Sequence, residues 1–269
     1  MEVTFAVSQV TLPLWLPPLA AAIISFFTSM IGISGAFLLM PFQMSVLGVA
    51  GPSASATNLV YNLVAIPGPA WRYLREGRLW WRLALIITLG GIPGTWLGAW
   101  LRTHYLAERN TFQLFVAMVL GYLGFRLLTD LLGQPKPGMP VETPPADFSH
   151  LPMAIFSFLV SVVGTIYGIG GGSFMVPLCV TVFRLPIHAV AGATLTATLL
   201  TSMVALVAYY NVPSPVPAQP DWPLGILFGM GGFIGGLVGA RCQGLISQRV
   251  LKAMLTILLL GLALRYGLG

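Results

Sequence analysis

The sequence predicts an all-α polytopic membrane protein made of two inverted repeats of about five membrane segments each. Of its 269 residues, 57% are hydrophobic and only 7% are charged, whereas a soluble domain carries about 25% charged residues. The apolar residues form continuous runs, which excludes the alternating pattern of a membrane β-barrel. A repeated glycine- and proline-containing motif indicates duplication and predicts broken helices or half-helices at both copies.

Ten apolar segments follow one another along the chain, and most approach the ~20 residues that a helix needs to cross the hydrocarbon core. They lie at about 12–31, 35–49, 53–71, 82–101, 111–131, 151–168, 172–184, 188–210, 222–241 and 251–267. The second and seventh are too short, and we expect half-helices there. The N-terminus lacks the positive charge of a signal peptide, so the first segment is expected to remain as a membrane helix.

A proline-rich stretch divides the chain into two halves. Residues 134–145 contain five prolines, which forbid a helix and favour an extended linker. The predicted organisation is therefore a first membrane repeat at 1–132, a linker at 133–150 and a second membrane repeat at 151–269.

The strongest local signal is the stretch 168–177, which reads GIGGGSFMVP, and its degenerate copy at 32–41, which reads GISGAFLLMP. Gly and Pro weaken a helix by about 1 and 3 kcal/mol relative to Ala. In lipid, broken backbone is tolerated only where protein buries it or it lines a cavity. We therefore expect both copies to contribute to one site.

The spacing of the matching residues extends the repeat beyond the motifs. Gly168 follows Gly32 by 136 residues, and Trp222 follows Trp81 by 141. The change of offset requires a five-residue insertion, for which the loop at 213–217 has room. Matching Gly, Pro and Trp at constant offsets across five segments indicates internal duplication.

Charge indicates how the two halves are oriented. The loop at 72–82 carries four arginines and its counterpart at 209–222 carries none, whereas the next loops show the opposite bias more weakly. Their charged residues are Arg102, Glu108 and Arg109 in the first half, against Arg241, Arg249 and Lys252 in the second. Because basic loops face the cytoplasm, we expect oppositely oriented halves in the inner membrane, with both termini extracytoplasmic. The same rule explains the net charge of +6 without a nucleic-acid partner.

Three stretches resemble the TauE/SafE family of anion transporters. They are the GIGGGxxxxP motif at 168–177, AVAGAT at 189–194 and GxxxWRLA at 77–84. The resemblance covers nearly the whole chain and implies a carrier that exports sulfite or an organosulfonate such as sulfoacetate; other branches take up or export related anions. The first motif departs from the family pattern, because Ser34 and Ala36 stand where the second copy has Gly170 and Gly172.

The broken helices predict an anion site near the bilayer midplane, as in other inverted-repeat transporters. Helix N-termini offer unpaired N–H groups and partial positive charge, and glycines let an anion approach the backbone closely. The candidate substrate-binding residues in the motifs are Gly32, Ser34, Gly35, Gly170, Gly171, Gly172 and Ser173. The alternative is that these small residues only allow close helix packing.

Polar residues at matched spacing after each motif complete the candidate site. Asn58 and Asn62 align with Thr194 and Thr198, and each pair lies one helical turn apart on one face. Because an unpaired Asn is costly in hydrocarbon, the two pairs predict a polar cavity. The alternative is interhelical hydrogen bonding.

Missing residue types narrow the mechanism. No carboxylate is expected at the bilayer midplane, so the usual proton relay of a coupled transporter is missing. A monoanion that leaves an inside-negative cell gains about 2.3 kcal/mol per 100 mV of membrane potential. We therefore favour export, although sodium held by backbone carbonyls stays open. Cys179 and Cys242 have no CxxC spacing, so neither a metal nor another cofactor is expected. The expected partners are the small anion and the bilayer, with a homo-oligomer left open.

Two alternatives to a carrier remain. An anion channel would share the site without alternating access. An intramembrane serine protease would use Ser34 of a GxSG pattern with His188 as its base. The repeat argues against the protease, because Ser34 occupies the position of Gly170 and is explained as part of a helix break. We therefore expect no enzymatic activity.

Overall fold

The computed structural model is a bundle of helices that begins with a short β-hairpin. It describes residues 2–31, 34–77, 79–132, 150–181, 183, 185, 187–242 and 248–268. Gly32 and all of the predicted linker except His150 lie outside the described residues.

The hairpin was not expected from the sequence. Strands β1 (Glu2–Phe5) and β2 (Val10–Pro13) pair antiparallel. The carboxylate of Asp221 accepts hydrogen bonds from the backbone N–H groups of Val7 and Ser8, at 3.3 and 3.1 Å, and from the Ser8 hydroxyl at 3.0 Å. These hydrogen bonds hold the hairpin turn against the N-terminus of the helix that begins at Trp222.

Eleven helices occupy most of the described chain. They are α1 (Leu16–Ile31), α2 (Ala36–Ser45), α3 (Pro52–Ala65), α4 (Pro67–Arg75), α5 (Trp81–His104), α6 (Arg109–Leu132), α7 (His150–Tyr167), α8 (Met175–Thr181), α9 (Ile187–Asn211), α10 (Trp222–Arg241) and α11 (Gln248–Gly267). Six of them, α5, α6, α7, α9, α10 and α11, are long and apolar enough to cross a membrane. With 10 and 7 residues, α2 and α8 extend only about 15 and 10 Å, too short to cross a ~30 Å core.

Proline explains one difference from the predicted segments. The single segment expected at 53–71 is divided into α3 and α4, which meet at Ile66 and Pro67. Proline has no N–H group and its ring clashes with the preceding turn, so a helix ends before it and a new one begins. Pro52 occupies the first turn of α3, where the missing N–H costs nothing.

Helices from the two halves of the chain pack against each other along glycine seams. Helix α1 packs on α10, α5 packs on α7, and α6 packs on α11, while α3 and α9 are in contact with each other. A Cβ atom at Gly94 would lie 2.3 Å from the Phe158 carbonyl oxygen, and one at Gly235 would lie 2.0 Å from that of Ala22. Only glycine allows this approach, as is common in membrane helix pairs.

Candidate functional site

The first helix break separates α1 from α2. The Ser34 hydroxyl accepts a hydrogen bond from the N–H of Ala36, the first residue of α2, at 3.3 Å. A Cβ atom at Gly35 would lie 2.4 Å from Ser25 Oγ and 2.5 Å from the Tyr61 hydroxyl. Ser34 thus has a local hydrogen bond, and Gly35 has close packing contacts, in this conformation.

The second break, between α7 and α8, needs glycine for its backbone. Gly168 and Gly170 have φ values of +85° and +77°, which side chains rarely allow. The carbonyl oxygen of Gly164 accepts hydrogen bonds from both of them and from the residue between, at 2.8 to 3.3 Å. The N–H of Gly171 donates to the Thr201 hydroxyl at 3.0 Å. Four N–H groups of this break, including those of the candidate residues Gly170 and Gly171, are therefore already paired with protein in this conformation.

The loop after this break packs on the threonine face of α9. A Cβ atom at Gly172 would lie 2.3 Å from the Thr194 carbonyl oxygen and 2.5 Å from Thr198 Oγ1. The hydroxyls of Thr194 and Thr198 donate to carbonyl oxygens one turn earlier in α9, at 3.0 and 2.8 Å. The Ser173 hydroxyl donates to the Ile169 carbonyl at 2.9 Å. Close packing and a substrate site are both compatible with this geometry.

The two asparagines are fully buried and only half satisfied. The amide nitrogen of Asn58 donates to the Ala36 carbonyl at 3.0 Å, and that of Asn62 donates to the Ser202 hydroxyl at 3.2 Å. The Oδ1 atoms of both residues have no hydrogen-bond partner. Because an unmet buried polar atom costs about 1–3 kcal/mol, these two acceptors require an explanation such as an ordered water or a ligand.

Both breaks come together in the interior. The Tyr167 hydroxyl, in the last residue of α7, donates to the Phe37 carbonyl in α2 at 2.7 Å. The rings of Phe37 and Phe174 pack edge to face with centroids 5.0 Å apart. Gly170 of the second break packs against Ser202, and Ser202 accepts the hydrogen bond from Asn62 of α3. The structure therefore brings candidate residues from both halves of the chain together.

Arg102 is the residue that the sequence prediction missed. It was expected in a loop, because the apolar segment ends at Leu101, but α5 continues to His104 and the Arg102 side chain is 0% exposed. Its Nε–H donates to the Ser55 hydroxyl at 3.0 Å, and its other nitrogens donate to the carbonyls of Leu106 and Ala50. The signal in the sequence was an arginine directly after a long apolar segment, a position that hydropathy alone assigns to a loop.

Aromatic and polar contacts complete the Arg102 environment. The guanidinium lies over the Phe112 ring, 3.5 Å from its centroid. Ser55 in turn donates to the Ile166 carbonyl at 2.8 Å, and its own carbonyl oxygen lies 2.5 Å from where a Cβ of Gly168 would be. Among the described residues, Arg102 has no carboxylate partner. The buried positive charge of Arg102 is therefore separated from the glycine loop by one residue, Ser55.

The metal and protease hypotheses are addressed only by the described residues. In the described ranges, no group of three or more His, Cys, Asp or Glu side chains could hold a metal ion. The side chain of His188, the base required by the protease alternative, lies outside the described part of the chain.

Comparisons with known proteins cover almost the entire chain. The family model described as "Sulfite exporter TauE/SafE" matches residues 18–266. A "Probable membrane transporter protein" of Xylella fastidiosa (strain 9a5c) is 25% identical over 82% of this chain and 81% of its own length. "Probable membrane transporter protein y4hK" of Sinorhizobium fredii is 24% identical over 87% and 96%, and YunE of Bacillus subtilis, with the same description, is 21% identical over 86% and 89%. No solved structure gives a significant match.

Proposed function

Because this chain belongs to the sulfite exporter TauE/SafE family, we propose that it exports a small sulfur-containing anion by alternating access. The substrate class is sulfite or an organosulfonate such as sulfoacetate. The observation that carries the proposal is the buried guanidinium of Arg102, whose hydrogen-bond acceptors among the described residues are all neutral.

The charge of Arg102 selects an anion. Burying an ion costs several kcal/mol unless an opposite charge compensates it, and charged residues within membrane segments mark substrate pathways. No carboxylate among the described residues contacts Arg102, so a bound anion would supply the missing compensation. Ser55 connects the guanidinium to the backbone of the second helix break.

We place the substrate where the two breaks meet α3 and α9. The candidate residues from the second copy are Gly170, Gly171, Gly172, Ser173, Thr194 and Thr198, and those described from the first are Ser34, Gly35, Asn58 and Asn62. Ordered water can bridge the unmet Asn58 and Asn62 oxygens to an anion. The loop N–H groups bonded to Gly164 and Thr201 would have to be released for the loop itself to bind the substrate.

The packing supports an inverted repeat. Three close approaches of α10 to α1 have counterparts of α5 to α7 at the offsets of 136 and 141 found in the sequence. They are Gly231 with Pro18, Gly235 with Ala22 and Gly239 with Phe26, against Gly90 with Ala154, Gly94 with Phe158 and Gly98 with Val162. This symmetry is expected if each half supplies one wall of the site, as in other inverted-repeat carriers.

The test combines ligand-induced stabilisation with matched arginine variants. Sulfite, sulfoacetate, sulfolactate, taurine and sulfate are screened by thermal shift, because a ligand stabilises in proportion to ln(1 + [L]/Kd). Arg102→Gln is expected to weaken binding of the active anion at least tenfold and Arg102→Lys less, whereas Arg249→Gln, an exposed control, leaves it unchanged. Undiminished binding by a folded Arg102→Gln variant would exclude Arg102 from anion selection.

Transport measurements separate the remaining alternatives. Efflux from proteoliposomes is expected to saturate with substrate and to accelerate with an inside-negative potential, which favours monoanion exit by about 2.3 kcal/mol per 100 mV. Efflux that ignores the potential contradicts uncoupled export, and efflux that never saturates favours a channel. Fluorophosphonate labelling of the wild type, combined with inactivity of Ser34→Ala, would instead favour the protease.

Orientation is tested separately by cysteine labelling. We propose an inner-membrane protein with both termini extracytoplasmic, so cysteines introduced at Ser8 and Ser214 should react with an impermeant maleimide from outside the cell. Reaction of either position only in inside-out vesicles would invert the assignment.

A further inference from the structure

Two cavities of opposite character lie along the same pair of helices, α2 and α11. The first, which we call the arginine pocket, has a volume of about 220 Å³ and is lined by Met44, Ser45, Arg109, Gln113, Arg265 and Tyr266. The second, the apolar crevice, has about 500 Å³ and is lined only by apolar side chains of α1, α2 and α11, among them Phe27, Leu38, Leu255 and Leu258. Neither cavity includes a residue of the substrate site proposed above.

The arginine pocket has the chemistry of an oxyanion site. Two arginines line it, and no acidic residue among the described ones does; the acidic residue nearest in sequence, Glu108, is exposed and is not part of the lining. Arginine binds phosphate-like groups through pairs of parallel N–H bonds. The buried Tyr266 hydroxyl bonds to Ser45 Oγ and donates to the Pro41 carbonyl at 3.1 Å, which holds α2 and α11 together beneath the pocket.

The two cavities are in line, at the separation of a lipid head and its tail. From Leu38 to Ser45 on α2, and from Leu258 to Arg265 on α11, there are seven residues, or about 10 Å at 1.5 Å per residue. The crevice extends a further seven residues along α11, to Leu251. Measured from the arginines it therefore spans roughly 10 to 20 Å, comparable to the ~15 Å depth of one leaflet's hydrocarbon.

The crevice is also open on the side where lipid would be. Met254 and Leu258, both in its lining, are 53% and 46% exposed. A membrane helix presents such exposed apolar side chains to the bilayer, and an acyl chain can therefore reach the crevice without crossing polar surface.

We propose that one anionic phospholipid binds along α2 and α11, with its phosphate between Arg109 and Arg265 and an acyl chain in the apolar crevice. This lipid supports α2, the half-helix that follows the first break, from its outer side. Arginine side chains bind a headgroup phosphate through paired N–H bonds. The proposal does not depend on which anion is transported.

Lipid retention by the full-length protein tests it directly. The purified protein is stripped with detergent, titrated with phosphatidylglycerol or phosphatidylcholine of identical chains, and examined by native mass spectrometry. Wild type should retain one phosphatidylglycerol in preference to phosphatidylcholine. Arg265→Gln and Arg109→Gln should each reduce that retention severalfold, while Arg249→Gln, at the opposite end of α11, should not.

A second variant and a free anion keep the result decisive. Leu258→Trp fills the crevice without changing charge and should also lower phosphatidylglycerol retention, which covers the case in which an arginine variant fails to fold. Equal retention of the two lipids, or an equal loss in Arg249→Gln, overturns the proposal. A third outcome also overturns it: inorganic phosphate binds and Arg265→Gln abolishes that binding, while Leu258→Trp leaves phosphatidylglycerol retention unchanged. The pocket would then bind a free anion and not a lipid.

Discussion

Tyr167 and Pro41 offer a quantitative test of how the first break is stabilised. Pro41 lies inside α2 and has no N–H, so the Phe37 carbonyl one turn earlier loses its helical donor. The Tyr167 hydroxyl supplies a donor from another helix at 2.7 Å. Tyr167→Phe removes that donor and leaves a buried carbonyl unmet, for which we expect a loss of about 1–3 kcal/mol in the free energy of unfolding.

A double-mutant cycle isolates this contact from other effects of the substitution. Pro41→Ala restores an N–H at position 41 that can donate to Phe37, so Tyr167→Phe should cost less in that background, by about 1 kcal/mol or more. Tyr209→Phe is the matched control, because its buried hydroxyl also donates to a carbonyl, that of Thr165 in α7 at 2.9 Å, in a helix that does not contain Pro41. Its cost should be the same in both backgrounds.

Thermal unfolding in detergent, followed by tryptophan fluorescence, provides the measurement. A loss of 1 kcal/mol shifts Tm by roughly 2–4 °C in chains of 150–250 residues, which is large enough to resolve. An equal Tm decrease for Tyr167→Phe with and without Pro41 would refute the compensation between the tyrosine hydroxyl and the proline.

Three further predictions concern other contacts. Gly94→Ala should lower Tm, because its Cβ would lie 2.3 Å from a backbone oxygen. Gly236→Ala, whose Cβ would meet no described atom within 4 Å, should raise Tm slightly, because Ala favours a helix over Gly by ~1 kcal/mol. Equal Tm shifts in the two variants would contradict close packing of α5 on α7 at Gly94. Asp221→Ala removes the hydrogen bonds to the hairpin turn and the N-cap of α10, and should lower the free energy of unfolding by about 1–2 kcal/mol. The hairpin turn should then be cleaved faster by a protease. An unchanged cleavage rate would show that Asp221 is not needed to hold the turn. Maleimide should modify the partly exposed Cys242 and spare the buried Cys179 in the folded protein, as peptide mapping would show, and early modification of Cys179 would indicate that α8 opens readily.

The glycines that repeat along α5 and α10 in the sequence are points of helix contact in the structure. Along α5 and α10, the glycines spaced four apart are those whose missing side chains admit the backbone of α7 or α1. Close backbone contact requires glycine at particular positions, so its spacing can be recognised in a single sequence. The short α2 and α8 could be anticipated for a related reason, since the number of residues between the break and the next loop fixes their length.

Arg102 and the hairpin could not be predicted in the same way. Hydropathy along the chain assigns an arginine at the end of an apolar segment to the aqueous loop. What buries Arg102 is a set of acceptors distant in sequence, including Ser55 and the Ala50 carbonyl, which only the tertiary structure brings together. The hairpin likewise depends on Asp221, more than two hundred residues away, and its four-residue strands carry no strong pattern.

The seams also limit how the protein can change conformation. Helix α1 of the first half is locked by glycine contacts to α10 of the second, and α7 of the second is locked to α5 of the first. A motion that moved one half of the chain as a body against the other would break both seams, at the positions where backbones are closest. The alternating access proposed above is therefore expected to keep the pairs α1–α10 and α5–α7 intact. In that proposal the movement falls to α2, α8 and the broken backbone beside them, where Asn58 and Asn62 have unmet acceptors and Arg102 has no carboxylate partner among the described residues.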